Sequence, residues 1–147
     1  MFVVEATQEI DATAEDVLGL VMDIDRYRQV DHKIRRVRRL ERHGDEVVAS
    51  MWTRVRGVPA PATQRMRLTP RERIDVTNEP SWRDRLVEFH GEFICAPAPA
   101  GVRVTHRYSF NFKGAGRLFE PLLHSWLERD IEAEVTRMRT LLESGGA

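Results

Sequence analysis

The C-terminal segment constrains the fold most, because it is typical of one long amphipathic helix. From Arg117 to Ser144, apolar residues recur every three or four positions, which is the period of a helix with one buried face. Pro121 falls in the first turns, where a missing amide costs least, and Gly114-Ala115-Gly116 interrupts the chain before it. A single helix cannot bury its own apolar face, so the rest of the chain has to cover it.

The segment between the first helices and this interruption is typical of antiparallel strands. Runs rich in Val, Ile, Thr and aromatic residues are separated by turn residues at His43-Gly44-Asp45, at Thr69-Pro70-Arg71 and along the Ala-Pro-Ala-Pro-Ala-Gly run. Two of the strands are expected around residues 62–69 and 72–78. With a further strand over residues 2–10, the count reaches seven.

Two short helices are predicted between the first and second strands. Thr13 is placed as an N-cap with Asp16 three residues later, and Val17, Leu20, Val21 and Ile24 form one helical stripe. Asp23 or Asp25 then starts a second short helical turn. The predicted order is strand, two short helices, six consecutive antiparallel strands and one long helix.

One arrangement that buries both the helix stripe and one face of every strand is an α+β fold in which a curved seven-stranded antiparallel sheet wraps around the long C-terminal helix. The chain has 147 residues and is 41% hydrophobic, which is enough for one core and one domain over residues 1–147. A sheet cannot close fully around a helix this wide. A hollow between the helix and the sheet is therefore expected, and such hollows favour small-molecule sites.

Bulk composition narrows the partners and the compartment. The 23 basic and 23 acidic residues balance, so the molecule has no overall field to attract nucleic acid or anionic lipid. Cys95 is the single cysteine, which indicates a reducing compartment and hence the cytoplasm. The N-terminus lacks the basic region and the long apolar region of a signal peptide, so none is expected, and no apolar run is long enough to span a bilayer. A monomer or a homodimer is expected, because edge strands are available for pairing.

The sequence resembles the SRPBCC superfamily, which includes START lipid-transfer domains, plant Bet v 1-like proteins and polyketide cyclases/dehydrases. The resemblance rests on "EIDATAEDVLGLVMDIDRY" near the N-terminus, on "GVRVTHRYSF" and on the terminal "FEPLL" and "LERDIEAEV" segments. It covers nearly the whole chain and implies the helix-grip fold. The bacterial polyketide cyclase/dehydrase branch is the most similar in length and in the N-terminal segment.

Two polar residues stand in the apolar phase of the last predicted strand, "VRVTHRYSFNF". His106 and Tyr108 share this phase with Val102, Val104 and Phe110, so they look into the hollow if this face is concave. A histidine can exchange a proton near neutral pH, and a tyrosine can donate a hydrogen bond to a developing enolate. We therefore expect both to be catalytic. The alternative is that both are structural, with each polar group bonded inside the protein.

The resemblance also points to arginines on the third and fourth strands, because polyketide aromatase/cyclases of this family anchor substrate with pocket arginines there. It implies Arg54 as a third catalytic residue and Arg65 as a ligand contact, with Trp52 sharing the phase of Arg54. In the fourth strand the competing phase, which contains Met66, is more apolar. If that phase faces inward, Arg65 is exposed.

Several aromatic residues are expected to contact a ligand. The resemblance places Tyr27 at the pocket mouth, Trp126 lies in the middle of the long helix, and Trp82 follows Pro80 in a loop that could act as a lid. Phe89 and Phe110 complete the predicted ligand-binding set. For Trp126 the alternative is a place in the core.

No metal and no cofactor are predicted, because the sequence has no HExxH motif, no cysteine pair and no glycine-rich phosphate loop. The strongest local anomaly is the basic segment 26–42, which carries eight positive charges in seventeen residues. It predicts an anionic partner such as an acyl-carrier protein, RNA or a lipid headgroup. The alternative is a solvated edge strand that charge protects from aggregation.

Three functions remain open from the sequence. The first is binding of a hydrophobic, polyketide- or lipid-like small molecule in the hollow, with cyclase or dehydratase acid-base chemistry. The second is a carrier of a lipid or quinone without chemistry. The third is an adaptor that binds RNA or a protein through segment 26–42. A polar hollow with His106 and Tyr108 inside favours the first function, and a filled interior favours the third.

Overall fold

The structure, a computed structural model, describes residues 1–145. Its strands are β1 (Phe2–Ile10), β2 (Ile34–His43), β3 (Glu46–Val55), β4 (Val58–Thr69), β5 (Arg73–Asn78), β6 (Val87–Ala98) and β7 (Gly101–Phe112). Its helices are α1 (Ala14–Met22), α2 (Ile24–Tyr27) and α3 (Glu120–Glu143), with two 3-10 helices at Trp82–Arg85 and Gly114–Phe119. The predicted α+β architecture is confirmed in element number and order.

All seven strands form one antiparallel sheet in the order β1-β7-β6-β5-β4-β3-β2. The two strands flanking α1 and α2 in the sequence are therefore the two edges of the sheet. The register pairs His106 of β7 with Ala6 of β1 on one side and with Phe93 of β6 on the other. Since side chains alternate along a strand, this pairing places His106 and Phe93 on the same concave face.

Local signals set the boundaries of the first two helices. The Thr13 side-chain oxygen accepts from the Asp16 amide at 3.1 Å, which confirms the predicted N-cap. Asp23 ends α1 and caps α2, where its side chain accepts from the Arg26 amide. The two helices thus meet at one aspartate, with Tyr27 in the last turn of α2 and buried.

The interruption at Gly114-Ala115-Gly116 is a short 3-10 helix, and α3 begins only at Glu120. Gly116 is buried, and a Cβ atom at this position would lie 2.2 Å from the Leu86 carbonyl oxygen. Only glycine allows this approach between the entry to α3 and the end of the first 3-10 helix. Pro121 lies in the first turn of α3, as predicted.

The core has two parts, and their arrangement leaves space between them. In one part, α1 and α2 pack on residues of β3 to β6; in the other, Leu127, Ile131 and Val135 of α3 pack on β1 and β7. Because α3 packs mainly on β1, it covers one side of the concave face, and a gap remains between α3 and strands β3 and β4. The site lies in this gap.

Candidate functional site

A hollow of about 990 Å³ lies between α3 and the concave face of the sheet. Every strand from β2 to β7 contributes to its wall, together with Tyr27 of α2 and Leu123, Leu127 and Glu134 of α3. Its volume is at the upper end of the range of about 300–1,000 Å³ typical of small-molecule sites. The predicted hollow is therefore present.

Aromatic rings form one wall of the hollow. Phe89 packs on Tyr108 and on Phe110 with ring centroids 5.5 Å and 5.2 Å apart, and Phe93 stacks on His106 at 3.9 Å. All five side chains line the hollow. Since flat rings pack well on other rings, this wall suits an apolar, planar ligand.

A buried carboxylate organises the polar part of the hollow. Glu134 of α3 is fully buried and accepts hydrogen bonds from both tyrosine hydroxyls, that of Tyr27 on Oε1 and that of Tyr108 on Oε2 at 3.1 Å. Lys33 donates to the same Oε2 at 3.2 Å. One carboxylate thus links α2, the segment before β2, β7 and α3, and each of its oxygens has at least one donor.

The Lys33 ammonium is surrounded by acidic side chains. It contacts Asp31 at 3.0 Å, Glu134 at 3.2 Å and also Asp130. Burial opposes its charge, but these carboxylates, together with Tyr108, hold the pKa of Lys33 well above its ordinary value. Lys33 is therefore a fixed positive charge in the wall of the hollow.

Burial also controls the protonation of the neighbouring groups. It raises the pKa of Tyr27 and of Tyr108 well above the ordinary value, and the Glu134 charge adds to the shift in both. Burial, with the Glu134 charge, likewise raises the pKa of Asp31. Both tyrosines therefore remain protonated hydrogen-bond donors at neutral pH.

His106 is the one buried residue in this part of the described chain whose side-chain nitrogens both lack a hydrogen-bond partner. Its Nδ1 lies 3.3 Å from Glu134 Oε1, but the two are not aligned for a hydrogen bond. Burial, and then the Lys33 charge, lowers the pKa of His106 to about 3, so the imidazole is neutral at pH 7. A neutral imidazole has one donor and one acceptor to offer.

The structure brings five of the predicted residues to the hollow. His106, Tyr108, Tyr27, Phe89 and Phe110 all line it. Tyr27 does not lie at the mouth as the resemblance implied, since it is buried against Glu134. The inward direction predicted for the apolar phase of β7 agrees with the placement of His106, Tyr108 and Phe110, and Phe89 lines the hollow from the neighbouring strand β6. Their contact with a ligand stays a prediction.

The structure does not bring Arg54, Trp52 or Arg65 to the hollow, and their expected placement there is wrong. Arg54 and Trp52 lie on the outer face of β3, where Trp52 packs under the Arg38 guanidinium. Arg65 forms ion pairs with Glu46 and Glu79 on the outer side of β4. The apolar phases, with Met51 on β3 and Met66 on β4, face inward instead. Burying an apolar methionine is favourable, whereas burying an arginine is costly, so the strands turn their methionines toward the hollow and their arginines toward solvent.

The other two tryptophans expected at the site, Trp82 and Trp126, do not line the hollow either. Trp82 is 69% exposed on the first 3-10 helix, although its neighbours Ser81 and Arg83 do line the hollow. Trp126 packs beside the core between α3 and β1, which agrees with the alternative placement in the core.

Sequence reasoning missed Lys33, Asp31, Asp130 and Glu134. Lys33 was counted within basic segment 26–42, where the sequence pattern does not distinguish it from the neighbouring arginines. Glu134 did carry a signal, because it lies three residues after Ile131 and four before Met138 and thus shares the buried face of α3. A charged residue on the buried stripe of a helix indicates a buried polar site.

Two groups of acidic and histidine side chains in residues 1–145 are close enough to share a cation. In the first, Asp31, Asp130 and Glu134, the Lys33 ammonium contacts every carboxylate. In the second, on the outer face of the sheet, Asp75 and Glu92 are bridged by Arg73, with His90 beside them. Both groups already have a side-chain cation as their partner.

Sequence comparison assigns the chain to a family. The sequence model of the polyketide cyclase/dehydrase and lipid transport family matches residues 1–143. The chain belongs to this family. A comparison with curated proteins found no match. Among residues 1–145, no helix is both long and apolar enough to cross a membrane.

Solved structures share the fold at low sequence identity. A protein from Thermus thermophilus is 14% identical with a TM-score of 0.82, covering 99% of this chain and 100% of its own. The Zhui aromatase/cyclase from Streptomyces sp. R1128 is 19% identical with a TM-score of 0.73, covering 99% of this chain and 98% of its own. A START superfamily protein from Mycobacterium smegmatis is 18% identical with a TM-score of 0.65, covering 97% and 94%. The helix-grip fold is therefore confirmed, and the family and fold support a hydrophobic ligand-binding domain.

Proposed function

We propose that this protein binds a mostly apolar small molecule in the hollow and that His106 forms a hydrogen bond with an oxygen of that molecule. The observation that carries the proposal is the unpaired imidazole. His106 is 1% exposed, lines the hollow and has no hydrogen-bond partner for either nitrogen within residues 1–145. Leaving a polar group buried and unpaired costs about 1–3 kcal/mol, a cost that a bound oxygen would remove.

The protonation state of His106 narrows the ligand chemistry. With a pKa of about 3, the ring is neutral and carries one N–H donor and one acceptor nitrogen. It therefore pairs with a phenol, an enol or a ketone, and it provides no positive charge for a carboxylate. The aromatic wall of Phe89, Phe93 and Phe110 suits a flat ring attached to that oxygen. A polyketide- or quinone-like molecule has both features.

The first experiment is mass spectrometry of an organic extract from natively purified protein, with a denatured-protein blank. A copurified aromatic polyketide, quinone or lipid would identify the ligand class. The quantitative test uses 2-naphthol and naphthalene as probes in calorimetric or fluorescence titrations. We expect His106→Phe to weaken 2-naphthol binding about tenfold, the equivalent of one hydrogen bond, and to leave naphthalene binding unchanged.

The matched control is His90→Phe. His90 lies on the outer face of β6, beside Asp75 and outside the hollow, so this variant should bind both probes like the wild type. Equal losses for the two probes in His106→Phe would show that the substitution deforms the hollow. No loss for 2-naphthol would show that His106 does not contact the ligand oxygen, and the proposal would fail.

Cyclase or dehydratase chemistry is the second candidate function, and the fixed charge of Lys33 favours it. An aldol cyclisation or dehydration develops negative charge on a carbonyl oxygen. Lys33 lines the hollow and remains protonated, so its positive charge would stabilise an enolate. The Tyr108 hydroxyl already donates to Glu134 and helps to hold this charged cluster in place. A His106 pKa of about 3 makes its imidazole a weak base, so its expected role is to hold the oxygen as a neutral partner.

A poly-β-keto thioester, followed by the absorbance of aromatic products, tests this chemistry. His106→Ala is expected to lower turnover by about 10²–10³-fold, as the loss of one hydrogen-bond partner of the reacting oxygen does, while ligand affinity stays within about tenfold. A wild-type rate equal to that of buffer would leave the carrier function, without chemistry, as the better description.

A partner for basic segment 26–42 remains a prediction. Part of its charge is used inside the protein, because Lys33 is bound by Glu134 and Arg42 donates to the Met22 carbonyl. Edge strand β2 exposes Arg35, Arg36, Arg38 and Arg39, and an acyl-carrier protein or another anionic partner is proposed to bind there.

A further inference from the structure

One end of the hollow is framed by three segments that carry exposed apolar side chains. Val58 lies in the β3–β4 hairpin, Trp82 lies on the first 3-10 helix, and Leu118, Phe119 and Leu122 lie at the entry to α3. These five side chains are between 54% and 76% exposed. We call them the apolar rim.

Contacts within the protein hold the three segments together. The Arg56 guanidinium at the hairpin donates to the Leu122 carbonyl, and the Arg83 guanidinium donates to the Pro61 carbonyl. The Lys113 amide donates to the Leu86 carbonyl at 2.8 Å, close to where Gly116 packs on the same residue. The three segments that carry the apolar rim are therefore held next to one another.

The hollow opens at this region. Pro59, Pro80, Ser81 and Arg83 are exposed to solvent and also line the hollow. The β3–β4 hairpin and the first 3-10 helix thus provide both exposed wall residues and exposed apolar side chains, and the entry to α3 adds Leu123 to the wall. A ligand that entered here would pass between the rim residues.

Charge indicates what this surface contacts. The exposed charged residues of the three segments are arginines, Arg56, Arg83, Arg85 and Arg117, whereas Asp84 and Glu120 are half-buried at helix starts. The Asp84 carboxylate also accepts a hydrogen bond from the Ser81 amide. Exposed tryptophan, phenylalanine and leucine surrounded by arginine is the composition that binds at an anionic lipid surface.

We propose that the apolar rim docks on the surface of an anionic lipid bilayer, with Trp82, Phe119 and Leu122 in the interfacial layer and the arginines at the headgroups. Docking in this orientation places the opening of the hollow against the membrane, so an apolar ligand moves between bilayer and hollow without crossing water. The docking surface stands independently of the ligand and of any chemistry in the hollow.

The test is cosedimentation of the whole protein with phosphatidylcholine vesicles, with and without phosphatidylglycerol. We expect binding to the anionic vesicles that weakens with added salt. Trp82→Ser combined with Phe119→Ser should reduce the partition coefficient at least about tenfold, because two large apolar side chains leave the interface. Both positions are exposed, so the melting temperature should not change.

Trp52→Ser is the matched control. Trp52 is also exposed, but it lies on the outer face of β3 and outside the three segments, so its loss should leave vesicle binding unchanged. Three results would each overturn the proposal: no binding of the wild type to anionic vesicles, no loss in the double variant, or an equal loss in the control. Self-association of the wild type that the double variant abolishes, without vesicle binding, would instead show a protein interface.

Discussion

Glu134 is the residue whose replacement tests the structure of the polar cluster most directly. Its carboxylate accepts from Tyr27, Tyr108 and Lys33 and is fully buried. Glu134→Gln keeps the shape of the side chain but removes the charge and one acceptor oxygen. Charge-assisted hydrogen bonds are about twice as strong as neutral ones, so each of the three donors should lose about 1 kcal/mol.

The expected destabilisation is therefore about 3 kcal/mol. It should not reach the upper part of the range of about 3–5 kcal/mol seen when a buried charge loses its partner, because Lys33 keeps Asp31 and Asp130. With a urea m-value of about 1–3 kcal/mol/M, this loss lowers the unfolding midpoint by roughly 1–3 M at unchanged m. Urea unfolding at pH 7, followed by circular dichroism, measures both quantities.

Glu132→Gln is the control, because Glu132 is exposed on the same helix two residues earlier. Its free energy of unfolding should stay within about 0.5 kcal/mol of the wild type. If Glu134→Gln behaves like this control, Glu134 does not act as a charged acceptor of three donors. The hydrogen-bonding pattern assigned to the cluster would then be wrong.

Three further predictions address other parts of the molecule. The folded-state pKa of His106, about 3, lies below the unfolded value near 6.5, so between these pH values the unfolded chain binds one more proton than the folded chain. The free energy of unfolding should therefore fall with falling pH by up to about 1.4 kcal/mol per pH unit. Urea titrations at several pH values should show this slope in the wild type and its loss in His106→Phe. Burial raises the pKa of the Cys95 thiol to about 11, which leaves little of the reactive thiolate at pH 8. Native protein should therefore react with Ellman's reagent at least about tenfold more slowly than unfolded protein, and equal rates would refute this. Gly116→Ala should cost more than about 2 kcal/mol because its Cβ meets the Leu86 carbonyl, whereas Gly19→Ala, in open space on α1, should gain up to about 1 kcal/mol, both read from thermal unfolding.

The fold was predictable because its determinants are local or periodic. The Thr13 cap, the turns and the stripe of α3 each specify one element, and only a few arrangements bury all of them. The bounds were less predictable: β4 begins at Val58 rather than near residue 62, and α3 begins at Glu120 rather than Arg117. The Gly114–Phe119 helix depends on the close approach of Gly116 to Leu86, a tertiary contact that no local pattern shows.

The site was predictable only where one strand phase was clearly apolar. In β7 the phase of Val104 contains His106 and Tyr108, so their inward direction follows from alternation. In β3 both sets of alternate residues contain apolar side chains. Trp52 made the set that contains Arg54 look like the inward-facing one, but that set faces outward. Met51 is buried there at 2%, while Trp52 remains outside. The phase of such a strand is decided by packing against distant elements, which the sequence of the strand does not contain.

Burial is the main reason that His106 remains neutral beside a carboxylate, and the polar cluster adds to its effect. Glu134 is already bound by two hydroxyls and one ammonium, and the Lys33 charge opposes a second cation nearby. Both nitrogens of His106 therefore lack a hydrogen-bond partner within residues 1–145, as the proposed ligand contact requires. If Lys33 were replaced by methionine, this opposition would vanish, and the pKa of His106 should rise from about 3. A histidine NMR titration of Lys33→Met measures this shift, and an unchanged pKa would show that burial alone keeps the imidazole neutral.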